Sequence, residues 1–416
     1  MTAVPRDRGL DSTFALAAQG YDFIGRRCRR YRSDIFETRL MLQRAVCIQG
    51  EEAAQVFYEP GRFTRRGAIP LRVLTLLQDE GSVATLDGEA HRHRKAMFMS
   101  VLNSVSVRSL VEAMEREWRA RIAVWARAGR VVLFPEVEDI LCRAVCRWAG
   151  IPLDGREARR RTREIAAMID GAGSGGPRNW RGQLLRSGVE HWLRDIVEEI
   201  RAGRLAAAEG RPTGAIALHR DAAGRLLSTE TAAVEILNLL RPTVAVARYV
   251  VFAAHALHEH PVWRARLATG DDDALTCFVQ EIRRFYPFFP AVGGRVRQPF
   301  EWRGRRFREG EWVLLDLYGT NRDSRSWEDP DRFQPERFQD RDIGRFDLVP
   351  QGGGDLFEGH RCAGEGATIA LLKSAVRLLV QEMRYDVPPQ DLRIDLVRLP
   401  AIPKSRFILR DVRGAA

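Results

Sequence analysis

Apolar side chains recur at helical spacing along most of the chain. In residues 109–128 they fall every three or four positions, which predicts a helix with one buried face. Residues 188–201 show the same spacing. Residues 229–259 are apolar on nearly every side, a pattern typical of a helix buried in a core. These long periodic stretches predict a mainly α fold.

Strand-like patterns are short and few. Residues 300–307 followed by 311–315 predict a hairpin, and residues 386–410 predict further short strands. The sequence contains no internal repeat and no low-complexity linker. We therefore expect one domain, residues 1–416, that is mainly α with small β-sheets.

A glycine-rich stretch, residues 171–176, is followed by Pro177. Glycine and proline interrupt helices, so we expect a loop between two helices here. Such a loop is either a plain connection or a lid over a site, and the sequence favours neither.

The chain is basic but shows no sign of a nucleic-acid partner. Its 416 residues carry a formal net charge of +11, and nearly all of the positive charge is arginine, since lysine occurs only at 95, 373 and 404. Basic and acidic residues alternate along amphipathic segments such as residues 115–119, which favours a solvated surface. No recognised nucleic-acid-binding motif is present. An anionic small substrate is another use for the excess charge.

The cysteines and the apolar stretches favour a reduced, cytoplasmic protein. Cys142 and Cys146 lie four apart on a helical pattern, which predicts two small buried residues rather than a disulfide or a metal site. The N-terminus lacks the apolar run of a signal peptide. No stretch was expected to reach the roughly 20 apolar residues of a membrane span.

Cys362 is the first candidate for chemistry. It lies in a loop with glycines at 352–354, 359 and 364, and these glycines permit a close approach of backbone N–H groups to the sulfur. Residues 363–380 form an apolar helical pattern, so the sulfur would sit at a helix N-terminus, where negative charge is stabilised. Cysteine thiolate is one of the ligands that hold haem iron. The alternative is a buried free cysteine in a glycine-rich turn.

Two upstream motifs strengthen the haem interpretation. Glu281 and Arg284 form an ExxR pattern on one face of a predicted helix, and Arg337 follows in Phe-Gln-Pro-Glu-Arg-Phe. Each motif is weak alone. Their order, with the cysteine loop after them, resembles the cytochrome P-450 superfamily over essentially the whole chain.

That resemblance implies a single-domain cytochrome P-450 fold that binds haem b through Cys362. It assigns Glu281, Arg284 and Arg337 to a structural network behind the haem. It also assigns three cationic or ionisable side chains to the haem propionates: His91, Lys95 and Arg295. For His91, an ordinary surface histidine is an equal alternative.

The long apolar helix departs from most of that superfamily. Oxygen-activating members carry an acid–alcohol pair there, whereas this chain has Arg241 and Pro242. An arginine in an apolar helix is costly unless it is paired. Its partner is either a protein carboxylate, with Glu235 a candidate, or a substrate carboxylate. Pro242 removes a backbone donor and would kink the helix to open room.

Four short sequences together resemble the bacterial fatty-acid peroxygenase subfamily. They are Arg-Pro at 241–242, the cysteine loop, Arg-Phe-Tyr-Pro-Phe at 284–288 and Leu-Tyr-Gly-Thr-Asn at 317–321. The resemblance implies a hydrogen-peroxide-dependent enzyme that hydroxylates long-chain fatty acids at the α or β carbon, with no obligatory reductase. Arg241 would bind the substrate carboxylate in a bidentate manner, and that carboxylate would act as general acid–base.

Several positions depart from that subfamily or would line the substrate channel. Ala84 stands where the subfamily often has His or Gln, and its methyl group cannot transfer a proton, which favours hydroxylation. The other expected substrate-contacting positions are Gln78, Ile169, Phe288, Phe289 and Ala291. The alternatives are decarboxylation of fatty acids to terminal alkenes, a conventional monooxygenase fed by redox partners, and a haem sensor without turnover.

Overall fold

The computed structural model describes residues 4–7, 9–206 and 209–415, and most of them are helical. The helices are α1 (Thr13–Gln19), α2 (Phe23–Tyr31), α3 (Glu51–Phe57), α4 (Leu71–Leu77), α5 (Gly88–Val101), α6 (Ser104–Ala128), α7 (Leu133–Ala149), α8 (Gly155–Gly171), α9 (Pro177–Arg201), α10 (Pro212–Ala217), α11 (Thr229–Ala245), α12 (Ala247–Glu259), α13 (Pro261–Ala268), α14 (Asp272–Phe285), α15 (Leu317–Thr320) and α16 (Glu365–Arg377). Short 3-10 helices lie at Gly20–Asp22 and Pro335–Phe338, and a π-helical turn, Leu378–Glu382, continues α16.

In the described part of the chain, the strands form three small sheets. They are β1 (Ile35–Leu40), β2 (Gln43–Gln49), β3 (Phe63–Thr64), β4 (Arg130–Val132), β5 (Ala291–Val296), β6 (Phe300–Trp302), β7 (Arg305–Phe307), β8 (Trp312–Asp316), β9 (Met383–Asp386) and β10 (Ile408–Gly414). The largest sheet has the order β1-β2-β8-β5-β3; the others are β4-β10-β9 and β6-β7. A mainly α fold with small sheets is therefore confirmed.

The predicted hairpin was wrong in its pairing. The hairpin lies inside residues 300–307, where β6 pairs with β7 across a turn at Arg303 and Gly304. β8 leaves this pair and runs between β2 and β5 in the large sheet. Its short apolar run could not say which strand it would pair with, because strand partners are set by distant segments.

Residues 386–410 also carry less strand than expected. The sheet strands β9 and β10 lie at the two ends of this region, and an isolated bridge joins Ile394 and Pro403 between them. Their pairing brings the C-terminal segment back against β4, next to the start of α7.

The helical core is one continuous apolar cluster to which α6, α7, α11 and α12 contribute many side chains. The α6 helix begins at an N-cap, Asn103, whose side chain accepts from the N–H groups of Val105 and Ser106. Its apolar face buries Trp118 and Trp125. Cys142 and Cys146 on α7 are fully buried free thiols, as expected.

The long apolar helix is interrupted once, between α11 and α12, at Val246. Pro242 lies inside α11 and has no N–H, so the carbonyl of Asn238 lacks its helical donor. The run Thr229–Glu259 is long and apolar enough to cross a membrane, with a mean hydropathy of 1.4, which corrects the expectation that no stretch qualifies. Because 78% of that stretch is buried inside the protein, it is a core helix.

Candidate functional site

Cys362 lies in a tight loop at the start of α16. Its N–H donates to the carbonyl of Gln351 at 3.1 Å, and the helix begins three residues later. Gly352 has φ of +90°, a conformation that favours glycine. A side chain at Gly353 would approach the carbonyl oxygen of Arg345 to 2.8 Å, so the loop has no room for one.

The surroundings of the Cys362 sulfur suit a ligated thiolate. Burial raises the pKa of this thiol, while the backbone N–H of Gly364 and the charge of Lys95 act in the opposite direction. A Cβ at Gly364 would lie 3.8 Å from the sulfur. A half-buried thiol in such a place ionises most readily when a metal takes the negative charge. The donor set therefore fits an iron-bound sulfur.

The α5 helix brings His91 and Lys95 to the cysteine loop. Lys95 Nζ donates to the carbonyl of Gly359 at 3.1 Å and also to that of Arg361. The rings of His91 and His360 lie 4.0 Å apart between centroids. Burial lowers the pKa of Lys95 to about 8 and that of His91 to about 4. His91 is thus a buried residue at the site rather than a surface histidine.

Arg295 does not lie at this site, contrary to the expectation. Its guanidinium donates to the carbonyl of Gly67 at 2.9 Å and to Gln43 Oε1 at 2.8 Å, and it faces outward. The arginine near His91 is Arg65, which is buried. Burial and then the charges of Lys95 and Asp87 have larger effects on the pKa of His91, and the charge of Arg65 lowers this pKa further.

Arg65 was missed from the sequence, where it reads as one of several arginines. Its guanidinium lies over the rings of Phe57 and Tyr58, 4.4 and 5.5 Å from their centroids, and donates to the carbonyl of Gly293 at 2.7 Å. Strand pairing aligns the neighbouring residue, Thr64, with Arg295. Because successive residues of a strand point to opposite faces, only one of these two arginines can point inward.

Glu281 and Arg284 form a fully buried ion pair on α14. Two guanidinium nitrogens of Arg284 donate to the two carboxylate oxygens at 2.6 and 2.7 Å. Glu281 also accepts from the backbone N–H of Gln334 at 2.8 Å and from Arg337 Nε at 3.4 Å. Arg284 donates further to the carbonyl of Asn321 at 3.1 Å. The three expected residues are thus brought together, and they tie α14 to the segment before the cysteine loop.

A second buried network lies closer to Cys362 and was also missed. Glu365, on the first turn of α16, accepts from Arg283 and, at 2.6 Å, from Arg361 Nε. Arg283 Nε also donates to Gln351 Oε1 at 3.3 Å. Burial raises the pKa of Glu365, but the hydrogen bond and charge of the two arginines lower it overall. No local sequence pattern links positions so far apart.

Arg241 is the most isolated charge near this region. It is buried on α11, and its Nη2 donates to the carbonyl of Leu77 and to Asn238 Oδ1, the latter at 2.7 Å. Its Nη1 is buried without a hydrogen-bond partner. Among the residues that the structure describes, no carboxylate lies within ion-pair distance of it. Burial, followed by repulsion from Arg186, lowers its pKa to about 9.

The protein carboxylate proposed as an alternative partner, Glu235, is engaged elsewhere. It forms a buried ion pair with Arg94 at 2.6 Å, and its Oε1 accepts from the N–H of Val83 at 2.8 Å. Its other oxygen accepts from Asn238 Nδ2 at 3.0 Å. Of the two alternatives for the partner of Arg241, a pairing with Glu235 is therefore wrong, since Asn238 hydrogen-bonds to both residues. The chain Arg94, Glu235, Asn238 and Arg241 is a continuous set of hydrogen bonds.

Three predicted residues are next in the chain to residues of the Arg241 network. Gln78 follows Leu77 at the end of α4, and its Oε1 is buried without a partner. Ala84 follows Val83, whose N–H anchors that segment to α11. Pro242 is exposed although Arg241 beside it is buried. This corner therefore combines an unpaired donor, an unpaired acceptor and small apolar surfaces.

The remaining substrate-contacting candidates are dispersed. The ring of Phe288 stacks on Tyr249 at 4.3 Å, and Ile169 is buried in the main core at the end of α8. Phe289 points outward and is 42% exposed. Ala291 packs against the separate cluster around Trp312. The rings of Phe288 and Phe289 contact each other edge to face with centroids 5.1 Å apart, and the role of these four residues in substrate binding stays a prediction.

The glycine-rich stretch forms the connection between α8 and α9 that its composition predicts. A Cβ at Gly173 would lie 2.3 Å from the Cβ of Leu399, so the stretch packs tightly against the segment before β10. Whether it acts as a lid stays a prediction.

A mainly helical chain that holds a half-buried cysteine in a glycine-rich loop, together with a Glu–Arg–Arg network, has the architecture of a haem-thiolate protein. The family described as "Cytochrome P450" matches residues 274–406. Two solved structures are similar over nearly the whole chain. Cytochrome P450SP alpha (CYP152B1) in complex with (R)-ibuprophen is 49% identical, with 97% of this chain and 99% of that chain covered and a TM-score of 0.95. Cytochrome P450EX alpha (CYP152N1) with myristic acid is 43% identical, with both chains fully covered and a TM-score of 0.96.

The chain belongs to the CYP152 family of the cytochromes P-450, the fatty-acid peroxygenases. It is a haem-thiolate oxidoreductase, and members of this family hold their haem through a cysteine thiolate. Among curated proteins, rhazimal synthase of Alstonia scholaris is 28% identical over 186 residues, 38% of this chain and 37% of that protein. The chain thus spans less than two fifths of that relative's length.

Proposed function

We propose that the protein uses hydrogen peroxide to hydroxylate long-chain fatty acids at the α carbon, the β carbon or both. One observation carries this proposal: Arg241 is a buried guanidinium with a free N–H and no protein carboxylate beside it among the described residues. A buried charge without a partner is strongly unfavourable. A substrate carboxylate would supply the missing partner by accepting from Nη1, while Nη2 keeps its hydrogen bonds to Leu77 and Asn238.

The residues around Cys362 fit a haem. The Cys362 thiolate would hold its iron, and His91, Lys95 and Arg65 would hold its propionates. Glu281, Arg284 and Arg337 would keep the segment before the cysteine loop in place. When bound, the haem supplies the oxidising chemistry with peroxide.

The protein residues around Arg241 do not offer a proton-transfer group of their own. Arginine stays protonated, Pro242 has no N–H, and the methyl group of Ala84 cannot exchange a proton. The carboxylate held by Arg241 would therefore serve as the general acid–base for peroxide. In the balanced reaction, one C–H bond and one hydrogen peroxide give one hydroxy group and one water. Anchoring of the carboxylate confines oxidation to the adjacent carbons.

The ligands of the two solved relatives support an acidic substrate. Myristic acid and (R)-ibuprophen, which occupy Cytochrome P450EX alpha and Cytochrome P450SP alpha, are both carboxylic acids. Two alternatives remain open for this chain: decarboxylation to terminal alkenes and turnover driven by redox partners. Ala84 favours hydroxylation over decarboxylation. We also place the protein in the cytoplasm, supported by the burial of its one membrane-length apolar run among the described residues.

The test is turnover of a long-chain fatty acid by the purified haem-loaded protein with hydrogen peroxide and no reductase, with product analysis by mass spectrometry. We expect hydroxy acids with the same number of carbon atoms as the substrate. Terminal alkenes as the main product would favour decarboxylation, and activity only with added redox proteins would contradict the peroxide route. Arg241→Ala should abolish turnover and keep the thiolate–haem absorption spectrum, whereas Val262→Ala, an exposed position on α13, should leave both unchanged.

A further inference from the structure

The three most exposed large apolar side chains of the described residues lie at one corner. Leu10, Phe14 and Leu42 are 81% to 89% exposed. Two contacts join them. The N–H of Leu42 donates to Asp11 Oδ2 at 2.6 Å, and the preceding N–H donates to Thr13 Oγ1 at 2.5 Å. The turn between β1 and β2 is thereby held against the start of α1.

A second group of exposed apolar side chains follows the seam between α4 and α9. Leu71, Trp180 and Leu184 are 65% to 75% exposed. The residue before each of the two α9 side chains, Trp180 and Leu184, hydrogen-bonds across the seam to α4. Asn179 Nδ2 and Gln183 Nε2 donate to the carbonyl of Arg72 at 3.1 and 3.2 Å. Because Asn179 and Gln183 face α4, the next residues on α9, Trp180 and Leu184, project outward beside the seam.

Arg295 hydrogen-bonds to a residue close in the chain to a member of each group. Its Nη2 donates to Gln43, next to Leu42, and its Nε donates to Gly67, four residues before Leu71. We call the resulting surface the apolar–basic face. Its members are the exposed side chains Leu10, Phe14, Leu42, Leu71, Trp180 and Leu184, together with exposed arginines 44, 66, 72 and 181.

The charge of this face departs from that of the whole chain. Overall, 66 basic residues stand against 55 acidic ones. The three segments that carry most of the face, residues 38–50, 60–78 and 171–189, contain no aspartate or glutamate. Of their nine arginines, Arg65 and Arg186 are buried, which leaves seven that are at least partly exposed. The carboxylate at its edge, Asp11, accepts from the backbone N–H groups of Leu42 and Thr13. The face is thus locally cationic.

We propose that the apolar–basic face binds the surface of an anionic lipid bilayer. Leucine and phenylalanine side chains enter the acyl boundary, tryptophan favours the membrane–water interface, and arginines attract anionic headgroups. A soluble acidic partner would need the arginines but not six projecting apolar side chains. Exposed apolar surface of this extent beside cationic residues marks an interaction site.

The position of α4 would let membrane binding deliver a fatty acid to the site, and this consequence rests on the proposed function. The helix begins at Leu71, in the face, and ends at Leu77, whose carbonyl contacts Arg241. Its seven residues span about 10 Å. A fatty acid leaving a bilayer at this face would therefore be close to the guanidinium that we propose binds its carboxylate.

The test is co-sedimentation of the haem-loaded protein with vesicles of phosphatidylcholine alone or mixed with phosphatidylglycerol. We expect binding to the mixed vesicles at least tenfold stronger than to phosphatidylcholine and weakened by salt. Two double variants, Trp180→Ser with Leu184→Ser and Arg72→Gln with Arg181→Gln, should each reduce binding at least tenfold. The matched control, Val105→Ser with Val262→Ser, changes exposed apolar residues on α6 and α13 and should bind normally.

Absence of vesicle binding by the unchanged protein would overturn the proposal, whatever its peroxygenase activity. Loss of binding in the arginine variant with full binding in the apolar variant would overturn it in favour of an acidic soluble partner. Turnover of a short, water-soluble fatty acid should be the same in all three variants. Vesicle binding together with no such turnover would contradict the proposed function alone.

Discussion

Asn238 accepts a hydrogen bond at 2.7 Å from the guanidinium of Arg241, one turn further along the same helix. Its side-chain nitrogen donates in turn to Glu235, so the amide of Asn238 can take only one orientation. The interaction directs one guanidinium nitrogen toward Asn238 and leaves Nη1 free. Asn238 is therefore a positioning residue for the proposed carboxylate site.

Replacement of Asn238 tests this role. We expect Asn238→Ala to lower kcat/KM for fatty acids about tenfold, mainly through KM, because the loss of one hydrogen bond to a charged group costs about 1.5 kcal/mol. Asn238→Asp should be more harmful than Asn238→Ala, since its carboxylate would pair with Arg241 and compete with the substrate. Steady-state kinetics of both variants provide the measurement. A milder effect for the nearly isosteric Asp would mean that Asn238 only fills space.

The substrate carboxylate is expected to act as the proton-transfer group. A substrate without a carboxylate should therefore react poorly with hydrogen peroxide, and addition of a short-chain carboxylic acid should raise its turnover at least tenfold. In Arg241→Ala, the added acid should have no effect. Product formation from a non-acidic alkyl aromatic compound, measured with and without the short acid, distinguishes these cases. Equal turnover without any acid would contradict substrate-assisted catalysis.

The buried ion pair of Arg94 and Glu235 is expected to be structural. Arg94→Met would leave the Glu235 carboxylate buried without its cation and should destabilise the protein by about 3–5 kcal/mol. The double variant Arg94→Met with Glu235→Leu should recover part of this loss, because no uncompensated charge remains. Thermal unfolding of the haem-loaded proteins gives the comparison. Additive losses in the double variant would show that the two residues do not interact.

Glu138 should make stability depend on pH. Burial on α7 raises the pKa of this carboxyl to about 7, although the charge of Arg248 opposes the shift. Between the unfolded pKa near 4.5 and the folded value, the native state binds more protons, so stability is present at low pH and is lost as the pH rises toward 7.

Glu138→Gln should therefore stabilise the protein at pH 8 by about 2–3 kcal/mol and have little effect at pH 4.5. The thermal midpoints of the haem-loaded variant and the unchanged protein at both values of pH provide the test. An equal rise of the thermal midpoint at both values of pH would show that the Glu138 carboxyl does not titrate as expected. Glu136→Gln, a more exposed position on the same helix, is the matched control.

Local sequence patterns were enough to predict the secondary-structure elements and the contacts between residues that are close in the chain. The spacing of apolar residues indicated α6, α9 and the α11–α12 run, although it placed some of their ends several residues off. Glu281 and Arg284 were paired correctly because a helix puts positions i and i+3 on one face. The glycines around Cys362 pointed to a tight loop because their effect on the backbone is local.

The errors share one cause, which is that they concerned contacts between distant segments. The choice between Arg295 and Arg65 depends on which face of the β3–β5 pair points inward, and no pattern within either strand reveals this. β8 follows the β6–β7 hairpin directly in the chain, but it pairs with β2 and β5. Arg283 and Glu365 are far apart along the chain and meet only because α14 packs on α16.

The sequence by itself determined the class of protein, the cysteine loop and the presence of an arginine in the buried helix, because these rest on residue type and short-range spacing. Only the tertiary structure decided that Glu235 belongs to Arg94, that Asn238 orients Arg241 and that one guanidinium nitrogen has no protein partner. The physical reason is that hydrogen bonds act over about 3 Å. Which groups come that close is set by the packing of α4, α5 and α11, and a linear sequence does not contain those distances.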